Sequence, residues 1–184
     1  MKIFDEISKL SNVRRWSRMH CIKDENVLEH TAFVALYSIH ICTKHNIAPE
    51  YAVLKAVVHD IEESVTGDIC TTTKYYNEEI TKSVKAMESE VAMEICERSF
   101  DHPTYLTWLE SKNLHTTGGS IVAISDLAAV VFKIRQEVDM GNKTFLKICP
   151  GITKALNGLK GIMRGLFDED ITQLIDEVKA IENS

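Results

Sequence analysis

A chain of 184 residues, 45% hydrophobic and 26% charged, has the make-up of a soluble globular protein long enough to bury a substantial core, and one domain over residues 1–184 is expected. Its formal net charge of -6 argues against broad binding of nucleic acid polymers, which reward a basic surface. The five cysteines, at 21, 42, 70, 96 and 149, form no CxxC pair, and an odd number cannot all pair within one chain. They read as small buried apolar residues of a reducing compartment rather than as zinc ligands.

The first segment, MKIFDEISKLSN, places Asp5 and Glu6 where a signal peptide needs an apolar run, and no segment approaches membrane-spanning length; a cytoplasmic protein with no membrane partner is expected. Apolar residues recur at helical spacing and alternating runs are scarce, so the fold class is all-α. A short helix over about 2–10 precedes an irregular basic stretch, NVRRWSRMHCIKDEN. Val27, Thr31, Val34, Ala35 and Ile41 then mark one long helix reaching Lys44. Pro49 suits the first turn of the next helix, which carries Ala52, Val53, Ala56 and Val57 and ends before Gly67. TGDICTTTKYYN reads as a loop; Val84, Met87, Val91 and Ile95 form another helical stripe; Pro103 opens a short helix, and TTGG is a break. Residues 120–140 are strongly apolar except for Asp126, which the helical period places on the inward side with Ile124, Leu127, Val130 and Val131. From Gly151 to Ile181 the tail reads as one or two amphipathic helices broken near Gly165–Asp168, with packing or self-association as its role.

Polar groups buried among valines need a partner. His30 sits on one apolar helix and the adjacent pair His59–Asp60 on another; a divalent ion is such a partner, and Asp126 can close the coordination from a third helix. Nitrogen and oxygen donors together suit Mn, Co, Fe, Ni or Zn without selecting among them. Glu63 lies four residues after His59 and three after Asp60, on the same helical face, where it can face a water that the ion acidifies. Asp68, in TGD, is a second acid at the same mouth, able to hold a second ion, orient the water or protonate a leaving alkoxide. Each residue also has a plainer reading: a lone His30 as a hydrogen-bonded core histidine, Asp126 as a salt-bridge member, Glu62–Glu63 as a solvated pair. Their conjunction is what points to one centre.

With RRWSRM, ENVLEHT, VVHDIEESVTGD followed by TTTKYY, and SDLAAVVFKIRQEVDMGN, over roughly residues 12–145, the chain resembles the HD-domain phosphohydrolases, and more closely their YfbR-like 5′-deoxynucleotidase branch. The resemblance implies a compact HD-type helical bundle with His30, His59, Asp60 and Asp126 as metal ligands and Glu63 as the acid that handles the attacking water. Asp68 matches the acid of the TGD loop. Arg15 matches an arginine that meets substrate phosphate, Trp16 an indole that packs by the sugar and crowds out a 2′-hydroxyl, and Lys74 a lysine beside the phosphate. Arg14 and Arg18 read as a solvated basic face, although Arg18 can meet a longer phosphate chain. The branch usually carries prolines after TGD, where this chain has ICTTTK, which bears on loop stiffness and substrate fit.

The function implied is metal-dependent cleavage of the 5′ phosphoester of 2′-deoxynucleotides, monophosphates first. A similarly short group, the phage DatZ-like dATP triphosphohydrolases, shares the metal motif and releases the whole triphosphate. The rival from another class is a non-catalytic helical metalloprotein that binds nucleotide or a partner; a purely structural ion has no use for a carboxylate such as Glu63 beside it. The resemblance also implies a homodimer or larger assembly, with the tail helices as candidate contacts.

Overall fold

The computed structural model describes residues 2–163 and 165–184, and among them there is no β-strand. Helices α1 (Lys2–Asn12), α2 (Val27–Lys44), α3 (Glu50–Val58), α4 (Glu63–Thr66), α5 (Thr71–Lys74), α6 (Glu78–Ser99), α7 (His102–Ser111), α8 (Thr117–Asp139), α9 (Cys149–Met163) and α10 (Asp168–Glu182) follow in chain order, with a 3-10 turn at Lys143–Ile148 before α9. The long α8 runs through the middle, against α2, α3, α7, α9 and α10.

Helix α2 starts where the sequence supplies a capping box. Asn26 accepts from the Glu29 backbone N–H at 2.9 Å, and the Glu29 carboxylate accepts from the Asn26 N–H at 3.1 Å. The basic stretch before it is pinned back on itself by Arg15 N–H to Glu25 O (3.0 Å) and Val27 N–H to Val13 O (3.0 Å). Its far end is held by a buried carboxylate: Glu137 of α8 accepts from the Ile22 and Lys23 backbone N–H groups (2.8 and 3.0 Å), from Asn142 (2.8 Å) and from Lys133 (2.7 Å).

The expected helix from Pro49 to Gly67 is interrupted. Between Val58 and Glu63 the bonds run from residue i+3 to i, as in Ile61 N–H to Val58 O (3.1 Å) and Glu63 N–H to Asp60 O (3.1 Å), a local tightening that coincides with the HD pair. TTGG, expected as a break, is instead the start of α8, with Thr116 capping the Gly119 N–H. The glycines are there for close approach. A Cβ on Gly119 would lie 2.1 Å from the Asn113 carbonyl oxygen, and one on Gly118 would lie 2.7 Å from the Lys55 side chain. The loop after TGD also contains one helical turn, α5.

Helix α8 is, against expectation, long and apolar enough to cross a membrane (23 residues, hydropathy 1.5), yet 67% of that window is buried inside the fold. Its Ile121, Ile124, Val131 and Ile134 build the main core with Ile41, Phe145 and Leu156. The tail breaks where expected, and its apolar stripe goes inward: Phe167, Ile171, Leu174, Ile175, Val178 and Ile181 of the α10 segment are all buried in the same core. Asp170 locks α10 to the end of α2 through His45 (2.7 Å) and Lys44 (3.0 Å). The apolar stripe of α10 is therefore used within the chain, while Ile162 and Leu166 of the tail stay exposed. Cys42, Cys96 and Cys149 are buried, as the composition suggested, whereas Cys21 and Cys70 are only half-buried.

Candidate metal centre

Helix α2, the turn after α3, and α8 bring His30, His59, Asp60 and Asp126 together. Ligand atoms of His30, His59 and Asp60 all lie within 4.8 Å of one another. His59 Nε2 stands 3.0 Å and His30 Nε2 3.6 Å from Asp60 Oδ2, and Asp126 Oδ1 closes on His30 Nε2 at 3.1 Å. Donors 2.0–2.2 Å from a common ion stand roughly 3–3.5 Å apart, so this spacing fits a shared cation. The two imidazoles are almost wholly buried, while Asp126, expected to face inward, keeps 43% of its side chain exposed and marks the open side.

Unpartnered polar atoms give an independent test of the fit. Among the described residues, both ring nitrogens of His30, Nε2 of His59 and Oε2 of Glu63 are buried without a hydrogen-bond partner. Such orphaned groups are rare and costly. The other nitrogen of His59 has a partner, the Ala56 carbonyl oxygen at 2.7 Å, which leaves Nε2 as the lone-pair donor facing the centre. Carboxylates also outnumber cations here: Glu25, Asp60, Glu62, Glu63, Asp68 and Asp126 gather around Arg15 and Lys112. A divalent cation relieves both the orphaned donors and the excess negative charge.

Protonation tendencies follow the same electrostatics. Burial opposes ionisation of Asp60, yet His59 and Lys112 hold it well below the usual carboxylate range. Desolvation within the cluster opposes ionisation of Asp126, yet the contact with His30 and the charge of Arg15 hold it down to about 2. Glu63 goes the other way: burial, then the charges of Asp60 and Asp68, push it up to about 10. Burial likewise pushes Asp68 up, with Arg15 opposing. These are the directions expected of acids that share too little positive charge.

Arg15 reaches Asp60 Oδ2 at 3.8 Å, and its Nε is buried without a hydrogen-bond partner among the described residues. Trp16 takes a left-handed backbone conformation (φ 64°), so that its backbone N–H faces Asp68 while its indole donates to Glu25. Asp68 follows Gly67, whose φ of +70° ends α4 and turns the chain toward the centre. Glu63 opens α4, and its neighbour Ser64 donates to Glu6 of α1 at 2.8 Å, anchoring that turn from behind.

Two predicted substrate residues sit differently. Lys74 is tied to Glu88 of α6 at 2.7 Å rather than to any residue of the cluster. Arg18 is exposed and donates to Thr72 Oγ1 at 2.6 Å. With Cys70 Sγ 2.9 Å from Thr73 Oγ1, that contact braces the loop where the family resemblance leads one to expect prolines.

Sequence reasoning missed three residues. Glu62, read as half of a solvated pair, is 2% exposed; its carboxylate accepts from Trp108 Nε1 (2.7 Å) and from Lys112 (3.0 Å). Lys112, which caps the end of α7, in turn donates to Asp60 Oδ1 at 3.2 Å and so fixes that carboxylate within the cluster. Glu25 joins Trp16, Arg15 and His30. The sequence offered only a short helix opened by Pro103, and nothing in the spacing linked residue 112 to residue 60.

An all-helical bundle with a His, His–Asp, Asp cluster and an unpartnered buried glutamate beside it is the arrangement expected from the resemblance to HD-domain phosphohydrolases. The sequence profile described as 5′-deoxynucleotidase YfbR-like matches residues 2–174, and the chain belongs to that family. A 5′-deoxynucleotidase of Erwinia tasmaniensis is 29% identical over 161 residues, covering 83% of this chain and 81% of the relative. Among solved structures, an HD-domain phosphohydrolase of Listeria innocua superposes with a TM-score of 0.69 at 20% identity, covering 97% of both chains. The HD phosphohydrolase DatZ of cyanophage S-2L, bound to dA and one catalytic Zn2+ ion, gives 0.58 at 17% identity, covering 98% of this chain and 96% of that one.

Proposed function

We propose that this chain is a metal-dependent phosphohydrolase that cleaves the 5′ phosphoester of 2′-deoxynucleoside monophosphates to the deoxynucleoside and phosphate. The observation that carries this reading is the set of buried, unpartnered polar atoms on His30, His59 and Glu63 at a centre crowded with carboxylates. A phosphate anion would be repelled from that cluster unless a cation were present, and the family match supplies the substrate class.

His30, His59, Asp60 and Asp126 would hold the ion, of the Mn, Co or Zn type. When bound, it supplies Lewis-acid polarisation of the phosphoryl oxygens and a more acidic water. With an ion in place to offset the charges of Asp60 and Asp68, which on top of burial otherwise keep its carboxyl protonated, Glu63, its Oε2 free of hydrogen bonds, would orient the attacking water and take its proton. Arg15 presents its guanidinium to the phosphate oxygens and offsets charge that grows in the transition state. Asp68, whose carboxyl burial pushes up with Arg15 opposing, is the acid assigned to the leaving 5′ oxygen. Trp16 forms the wall beside the sugar. Lys74 adds positive charge near the mouth once it exchanges Glu88 for the substrate.

Removal of the ion by a chelator should abolish turnover, and Mn, Co or Zn should restore it. Activity that survives exhaustive chelation would defeat the reading. The second reading, a triphosphohydrolase, is favoured by one feature, the exposed Arg18 beside the post-TGD loop, which can meet a longer phosphate chain. Arg18→Ala should lower kcat/KM on deoxynucleoside triphosphates by about tenfold and leave monophosphates unchanged if that reading holds; on the monophosphate reading both substrates respond alike. The non-catalytic alternative leaves Glu63 without a role. We also propose a cytoplasmic location and a homodimer or larger assembly. The buried stripe of α10 serves the core, so such contacts would use exposed apolar residues such as Leu36 of α2, Leu54 of α3 and Ile162 of α9.

A further inference from the structure

We propose that Glu25 is a positioning residue that sets the preference for deoxy over ribo sugars by fixing the Trp16 indole, an inference that rests on the deoxynucleotide reading above. Trp16 is one of two non-glycine residues with positive φ among the described residues, at 64°. A bulky residue in that conformation is strained and persists only where its surroundings over-determine it. Two contacts do so. The indole Nε1–H donates to Glu25 Oε2 at 2.5 Å, and the ring packs on Phe145 with centroids 5.3 Å apart.

The Glu25 carboxylate is the element that links this wall to the metal centre. Its other oxygen, Oε1, lies 3.9 Å from His30 Nδ1, and Oε2 lies 4.0 Å from Arg15 Nε. Both are longer than a hydrogen bond, so the indole N–H is the group that this carboxylate engages directly. The backbone holds Glu25 still: its carbonyl accepts from Arg15 N–H at 3.0 Å, and the next residue, Asn26, caps α2. The indole is thus referenced to the helix that carries His30. A wall rejects an added hydroxyl only if it cannot yield, because a shift of about an ångström removes the clash. Without Glu25 the ring keeps its packing on Phe145 and the main core but loses its hydrogen-bonded tether, and the wall can swing.

The test is kcat/KM of the metal-loaded protein for a deoxynucleoside monophosphate and its ribo counterpart with the same base, in wild type, Glu25→Ala and Glu25→Gln. We expect Glu25→Ala to lower the deoxy-to-ribo ratio by about tenfold or more. Glu25→Gln should keep the wild-type ratio, because its amide oxygen still accepts from the indole. Equal loss on both sugars in Glu25→Ala, the signature of a merely structural role, would overturn the proposal. If that variant does not fold, Trp16→Phe removes the N–H while keeping a ring in place; an unchanged ratio there would overturn it equally. A wild type with no preference for deoxy sugars would sink the deoxynucleotide reading itself. A wild type with the preference and an indifferent Glu25→Ala would sink only the role of Glu25.

Discussion

Glu63→Ala should retain the fold and bind its metal with unchanged stoichiometry while turnover falls by about 10²- to 10⁴-fold, the usual contribution of a positioned general base. The reasoning is local. Glu63 opens α4 three residues after Asp60 and contributes no ligand atom to the tight cluster of His30, His59 and Asp60. Its Oε2 is buried without a hydrogen bond, so nothing in the packing depends on the carboxylate. Removing it also removes an acid that burial, Asp60 and Asp68 push up to about 10 in the protein without an ion, so the variant should be no less stable. Isothermal titration with Co or Mn, a thermal melt and a steady-state assay check the three parts together. Full activity in this variant would leave the proton without an acceptor and defeat the assigned mechanism.

Glu137→Ala should have the largest effect on stability, about 3–5 kcal/mol, because it removes the carboxylate partner of the buried Lys133 ammonium together with the acceptor of the part-buried Ile22 and Lys23 N–H bonds. For a chain of this length that corresponds to a fall in Tm of roughly 10 °C. Burial opposes ionisation of this carboxyl, but Lys133, the Ile22 N–H and Asn142 hold it at about 2, below its ordinary 4.5. A depressed pKa means that the contribution is fully present above the ordinary carboxylate range and is lost as the pH falls from about 4.5 through about 2. Over that window the wild type should lose about 3 kcal/mol from this group alone, converting the shift at 1.36 kcal/mol per pKa unit. Glu137→Gln should flatten that part of the acid-unfolding curve, and an unaltered slope would contradict the assignment. The same loss loosens the segment at Ile22 and Lys23 that leads into Glu25, so metal affinity should weaken along with stability.

How much of this could be read beforehand follows from what periodicity encodes. The helices carrying His30 and Asp126 were legible because their apolar residues recur at helical spacing on either side of a polar intruder. The candidate site residues of the HD and TGD segments stand out because they lie close in sequence and resemble a known family. The tightened turn at His59–Glu62 was not, since its residues keep helical dihedral angles and only the hydrogen-bond register changes. TTGG misled for a different reason: glycine pairs usually interrupt helices, but here the missing Cβ atoms let α8 press against the turn at Asn113 and against Lys55. The supporting residues were invisible because their partners are remote. Lys112 and Asp60 are 52 positions apart and Glu137 and Ile22 are 115 apart, and no pattern within a single helix records such pairs.

The most direct test is product analysis with purified, metal-reconstituted protein against all deoxynucleoside mono- and triphosphates, with ribonucleotides as controls. Inorganic phosphate released from the deoxynucleoside monophosphates is the predicted result. Tripolyphosphate released from a deoxynucleoside triphosphate, with the monophosphates untouched, would contradict it, and so would the absence of any product with Mn, Co or Zn.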